Sequence, residues 1–114
     1  MNGSEPILHV AFFRTASGNE PVRAWLKSLP REARRRIGED IKTVQFGWPL
    51  GMPLVRKLET GLWEVRSRLP DGIARLLFTT GEGQMVLLHG LIKKSQRLPA
   101  DDLELARRRL RMLE

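Results

Sequence analysis

Apolar residues recur at helical spacing in the first half of the chain and at strand spacing in the second, with the change near Leu50. Ile7–Phe13 is short, apolar and β-rich, which predicts a first strand after a loose tail over Met1–Pro6. Thr15–Asn19 is a cluster of turn residues. Glu20–Leu29 then reads as a helix, with Val22, Trp25, Leu26 and Leu29 on one stripe. Asn19 is its expected N-cap, and Pro21 is tolerated in the first turn. Pro30 opens a second helix, in which Ala33, Ile37, Ile41 and Val44 share a face and which Gly47 and Pro49 close. So short a link between the two predicts an αα-hairpin.

Beyond Gly51 and Pro53 the pattern is that of strands. Leu54–Leu58 predicts a short edge strand, followed by Leu62–Leu69, Ile73–Thr80 and Met85–Lys93. The last three are joined by turns at Pro70–Gly72 and Gly81–Gly83, so they predict an antiparallel meander. After Pro99, acids at Asp101 and Asp102 and bases at Arg107–Arg109 and Arg111 match the two ends of a final helix. Leu103, Ala106 and Leu110 form its apolar stripe. The reading is one α+β domain over residues 1–114, an antiparallel-rich sheet in the order β-α-α-β-β-β-β. The helical hairpin packs on one face, and the C-terminal helix is expected on that face as well.

Strand parity sorts the side chains by face. Trp63, Val65, Ser67 and Leu69 go with Ala74, Leu76 and Phe78, and with Val86, Leu88, Gly90 and Ile92, as the core set. The other side then carries Glu64, Arg66, Arg68, Arg75, His89 and Lys93, with Leu87 and Leu91 between them. A single β-bulge flips part of such an assignment. Arg75 is the sharpest feature, because an arginine within an apolar strand is costly unless it is paired or faces solvent. It either bridges to Glu64 across the meander or binds a phosphate, and the two are compatible. His89 is either a packed core residue or an acid–base group. Lys93 and Lys94 are either an ordinary charged strand end or a phosphate site with His89. Trp25, Trp48 and Trp63 read as packing residues, and Arg34–Arg36 and Arg107–Arg109 as solvated helix faces that could also steer an RNA.

Charge narrows the partner class. Twenty Lys and Arg against thirteen Asp and Glu give +7, which favours polyanions. The absence of Cys excludes disulfides, thiolate zinc sites and cysteine nucleophiles, and fits a reducing cytoplasm. Two histidines, His9 and His89, argue against a multi-histidine metal site. No apolar run approaches the length of a membrane span, and no signal peptide is evident, so the expected location is the cytoplasm, with no membrane partner.

Three segments in register carry a resemblance. Gly61-Leu62-Trp63-Glu64-Val65-Arg66, Ala74-Arg75-Leu76-Leu77-Phe78 and Leu87-Leu88-His89-Gly90-Leu91-Ile92-Lys93-Lys94-Ser95-Gln96 resemble the RelE/ParE toxin superfamily, in its HigB-type, phage-derived Gp49-like branch. Pro21-Val22-Arg23-Ala24-Trp25-Leu26, the Pro-opened second helix and Lys57-Leu58 fit as well, so the resemblance runs from about Val10 to Arg109. It implies a RelE-like fold and the toxin of a type II toxin–antitoxin pair that cleaves mRNA on the ribosome. The implied reaction is attack of a ribose 2′-hydroxyl on the adjacent phosphate, with no metal or other cofactor. The implied partners are ribosome-bound mRNA and a cognate antitoxin, expected to be of helix-turn-helix type.

Carried over by position, Arg75, His89 and Lys93 are the candidate catalytic residues. Arg66, Arg68, Lys94, Lys57 and Arg56 are the candidate RNA-binding residues. The chain has no Tyr, so the tyrosine that some relatives use near the C-terminus is missing, and His89 or a lysine must take its place. Two other readings stay open: a gyrase-poisoning ParE-like toxin, and a catalytically inactive prophage remnant that binds only RNA or antitoxin.

Overall fold

The structure is a computed structural model that describes residues 5–95 and 97–113. Most of the expected N-terminal tail, and Gln96, lie outside the described residues. The elements are β1 (His9–Phe12), α1 (Pro21–Ser28), α2 (Arg31–Gly47), β2 (Val55–Glu59), β3 (Leu62–Leu69), β4 (Gly72–Gly81), β5 (Gln84–Lys93) and α3 (Ala100–Met112). They form an α+β fold compatible with the RelE-like expectation. One five-stranded sheet has the order β1-β5-β4-β3-β2, antiparallel except where β1 runs parallel to β5.

Because β1 and β2 lie at opposite edges, the α1–α2 hairpin between them must cross the whole sheet. It does so on one face, where Val22, Ile37, Ile41 and Val44 pack against Val55, Val65, Ala74, Leu76, Phe78, Met85 and Leu87. Trp48, Trp63 and Phe78 meet there with ring centroids 5.1 to 6.0 Å apart, so Trp48 and Trp63 pack rather than stack on bases. Glu20, not Asn19, precedes the first turn of α1. The Asn19 backbone amide is taken instead by Thr15 Oγ1, within the preceding turn.

α3 does not join the hairpin. It lies on the opposite face over β4 and β5, where Ala106 and Leu103 pack with Phe13, Leu62, Leu77, Leu88 and Leu91. The sheet is therefore covered on both sides. Register decides which residues reach each layer. β5 carries an extra residue where Leu77 pairs with His89 but Phe78 pairs with Leu87. That bulge at Leu88 reverses the expected parity upstream of it. Leu87 joins the hairpin core, while Leu88 and Val86 turn toward α3. The rest of the parity assignment stands, since Arg66 pairs with Arg75, Arg75 with Leu91, Leu77 with His89 and Ile73 with Lys93.

Candidate nucleic-acid interface

Glu64 is the centre of the charged layer. It is wholly buried on β3, directly across from Arg56 of β2, while Arg66 follows two residues later on the same face. Its Oε1 lies 3.2 Å from Arg56 Nε, 3.5 Å from Arg66 Nε and 3.1 Å from Arg75 Nη1. Arg66 and Arg75 are direct cross-strand neighbours, an arrangement of like charges that is unfavourable without a carboxylate between them. Three guanidinium charges against one carboxylate leave this cluster at +2. Burial, and then the positive charge of Arg75, lowers Arg66 from the ordinary arginine value, and Glu64 opposes the shift.

Arg75 realises the salt bridge that its position suggested. Nη1 donates to Glu64 Oε1, and Nη2 donates to the Ser95 carbonyl at 2.7 Å, with the side chain at 0% exposure. It thereby ties the middle of the sheet to the connection between β5 and α3. The arginines that reach outward are Arg56, at 37% exposure, and Arg66, at 13%. Arg68 is exposed at the end of β3, and Lys93 and Lys94 are exposed at the end of β5.

Beside the cluster is a cleft of about 560 Å³ between the β2 edge and the start of α3, lined by Arg56, Lys57, Leu58, Arg97, Leu98 and Leu103. Lys57 is in register with Trp63, on the parity opposite to Arg56, yet at the sheet edge it lines the same cleft. Arg97 belongs to this wall too. Sequence reasoning passed over it because a lone arginine in a connection has no periodicity to place it.

His89 stands apart from this cleft. Its Nε2 is 2.6 Å from Asp102 Oδ1 of α3, and it lines a separate pocket of about 170 Å³ with Pro21, Val22, Trp25, Gly90 and Arg109. The acids at the start of α3 thus do more than complement the helix dipole, since Asp102 fixes the imidazole. The Arg107–Arg109 run is likewise no plain solvated face. Arg107 holds Glu59 of β2, while Arg109 donates to the Leu88 carbonyl at 2.7 Å and lies over the Phe13 ring. In contrast, Arg35 and Arg36 of α2 are exposed and pair with Glu32, Glu39 and Asp40 of their own helix.

A small α+β domain with a buried arginine cluster opening on a cationic cleft is the class that fold and site define. Residues 24–111 match the family of phage-derived Gp49-like proteins (DUF891), and the chain belongs to that family. This agrees with the Gp49-like branch of the RelE/ParE superfamily and makes the chain a toxin–antitoxin-related protein. It is also 37% identical over 84 residues to a probable RNA methyltransferase of Stutzerimonas stutzeri (strain A1501). That match covers 72% of this chain and 22% of the relative. Among the described residues, no helix is long and apolar enough to cross a membrane.

Proposed function

We propose that this protein is the toxin of a type II toxin–antitoxin pair and cuts mRNA on the ribosome. The observation that carries the proposal is the +2 arginine cluster on Glu64 beside a cleft walled by Arg56, Lys57 and Arg97. Guanidinium groups match phosphate oxygens, and a partly desolvated cationic site stabilises charge that develops on a phosphorane. In the proposed step the 2′-oxygen bonds to phosphorus and gives up its proton, while the P–O5′ bond breaks and the 5′-oxygen takes a proton. A 2′,3′-cyclic phosphate and a 5′-hydroxyl remain.

Arg56, Arg66, Lys93 and Lys94 bind the phosphates in this scheme, with Arg68 and Lys57 flanking them. Arg75 sets the array from below. His89 lies in a separate pocket with one ring nitrogen held by Asp102, so it carries a proton in this scheme only if the bound RNA spans both pockets, which His89→Ala tests. The Stutzerimonas relative is named for action on RNA, which accords with an RNA ligand. Methyl transfer is not part of the proposal.

Induced expression with mapping of mRNA 5′ ends tests this, with wild type beside Arg75→Ala and His89→Ala. Wild type should arrest growth and produce new 5′ ends, and Arg75→Ala should abolish both. Growth arrest with DNA breaks and no new ends would overturn the reading in favour of gyrase poisoning.

A further inference from the structure

Charge alone does not explain why Glu64 lies at the centre of a face that is to bind a polyanion. A carboxylate there weakens the field, and burying it is costly unless its partners compensate. Yet Glu64 has 0% exposure, and one of its oxygens is approached by guanidinium nitrogens from β2, β3 and β4 at 3.1 to 3.5 Å. Its other oxygen, Oε2, is buried without a hydrogen-bond partner among the described residues. The carboxylate is therefore spent on the arginines and not on a ladder or a cap. Arg56 and Arg66 both place Nε within 3.5 Å of Oε1 as ion pairs and not as aligned hydrogen bonds, so the hold of this one oxygen on two guanidiniums of neighbouring strands is electrostatic.

We infer that Glu64 is a positioning residue, which fixes Arg56 and Arg66 in one geometry so that both engage the RNA backbone together. This deepens the proposed function and rests on the reading that this face meets RNA. Long arginine side chains lose rotamer freedom when they bind, so a pre-set array holds phosphates that a loose one cannot grip together. Two opposite expectations follow for Glu64→Gln. If only charge matters, removing a carboxylate raises the cluster from +2 to +3 and RNA binding tightens. If Glu64 positions the arginines, binding weakens although the protein has become more basic.

The measurement is binding of purified full-length protein to a single-stranded RNA oligonucleotide across a salt series. Each phosphate contact contributes about 0.7 to the slope of log K against log salt on a single strand. Glu64→Gln should flatten that slope by about 1.4, the loss of two contacts. Glu82→Gln, which removes the same charge at the exposed β4–β5 turn, should leave it unchanged. Arg56→Gln should flatten it by about 0.7 in the wild-type background and by nothing further in Glu64→Gln. Glu64→Asp keeps the charge but withdraws it by one methylene, and should behave like Glu64→Gln. It also serves as the test variant if Glu64→Gln loses its near-UV circular dichroism. A Glu64→Gln slope equal to that of Glu82→Gln overturns the positioning role while leaving RNA binding intact, and loss of native structure in both Glu64 variants overturns it in favour of a role in folding. A wild type that binds the oligonucleotide no better than a neutral protein of its size overturns the RNA reading itself.

Discussion

Truncating Arg107 should release the tie between α3 and the end of β2, at a cost that follows from its geometry. Arg107 Nε lies 3.1 Å from both oxygens of Glu59, and Nη2 lies 2.7 Å from Oε1. This fork joins the C-terminal half of α3 to the last residue of β2. Nη1 also reaches Glu104 at 3.3 Å, one turn back on its own helix. The Arg107 and Glu59 side chains are 40% and 37% exposed, so solvent screens the pair. Paired geometry lifts it toward the upper end of surface ion pairs, about 1 kcal/mol, and no higher. For a domain of this length that is about 4 °C in Tm.

The hydrogen bond from Arg107 holds the Glu59 carboxyl below its ordinary value; partial burial opposes this, and the Arg107 charge adds to it. A carboxyl depressed in the folded state stabilises the fold above its unfolded pKa, and that contribution fades as pH falls through the folded pKa. The coupling between Arg107→Ala and Glu59→Gln, read from urea unfolding in a double-mutant cycle, should therefore be about 1 kcal/mol at pH 7. It should shrink in 1 M salt and vanish once Glu59 is protonated. Strictly additive costs at pH 7, or a coupling that persists into acid, would refute the assignment.

Other expectations are local. A Cβ on Gly90 would sit 2.4 Å from the Trp25 ring, so Gly90→Ala should cost about 1–3 kcal/mol by overpacking and alter the near-UV circular dichroism of the indole. Glu82 has φ 52° and Gly83 has φ 75°, the pair of left-handed residues that a two-residue hairpin turn requires. Since Asn tolerates that region better than Glu, Glu82→Asn should raise thermal stability by up to about 1 kcal/mol. A loss of stability would count against this account of the turn. Leu77 is fully buried beneath α3, and Leu77→Ala should cost about 2–5 kcal/mol in denaturant unfolding. A cost near zero would mean that α3 contributes little packing on that face.

The sequence allowed the element order to be read because each element buries one stripe or one parity, and burial leaves a periodic trace. It was silent wherever two elements meet. Strand parity failed at one place only: Val86 and Leu87 are both apolar, so either could face either layer, and nothing local announces the bulge at Leu88 that exchanges them. The face of α3 was misread for a related reason. Leu77, Leu88 and Leu91 give the basic side an apolar centre, which only a covering helix explains. Arg75 announced itself because its strand is otherwise apolar, whereas Asp102 looked like an ordinary helix-start acid until the fold set it against His89. Gly90 gave no sign of its reason, which is the ring of Trp25, far earlier in the chain.

The charged layer is better explained by a ligand than by stability. Replacing a buried ion cluster with apolar residues of similar volume is often neutral or stabilising, so the fold itself does not require Glu64, Arg66 and Arg75 between two hydrophobic layers. The layer also has an excess of positive charge, with three guanidiniums near one carboxylate oxygen. Among these four side chains the positive charge exceeds the negative, which a network built for support alone would not favour. Under the proposed function, a phosphate of the RNA would bring negative charge to this layer without any change to the folded sheet. In that reading, the same imbalance that weakens the layer as a support would serve it as a receptor. Leu58, Leu98 and Leu103, which pack on the core beneath α3, would then also offer an apolar floor beside the cations, since a nucleotide has a base to bury as well as a charge to neutralise.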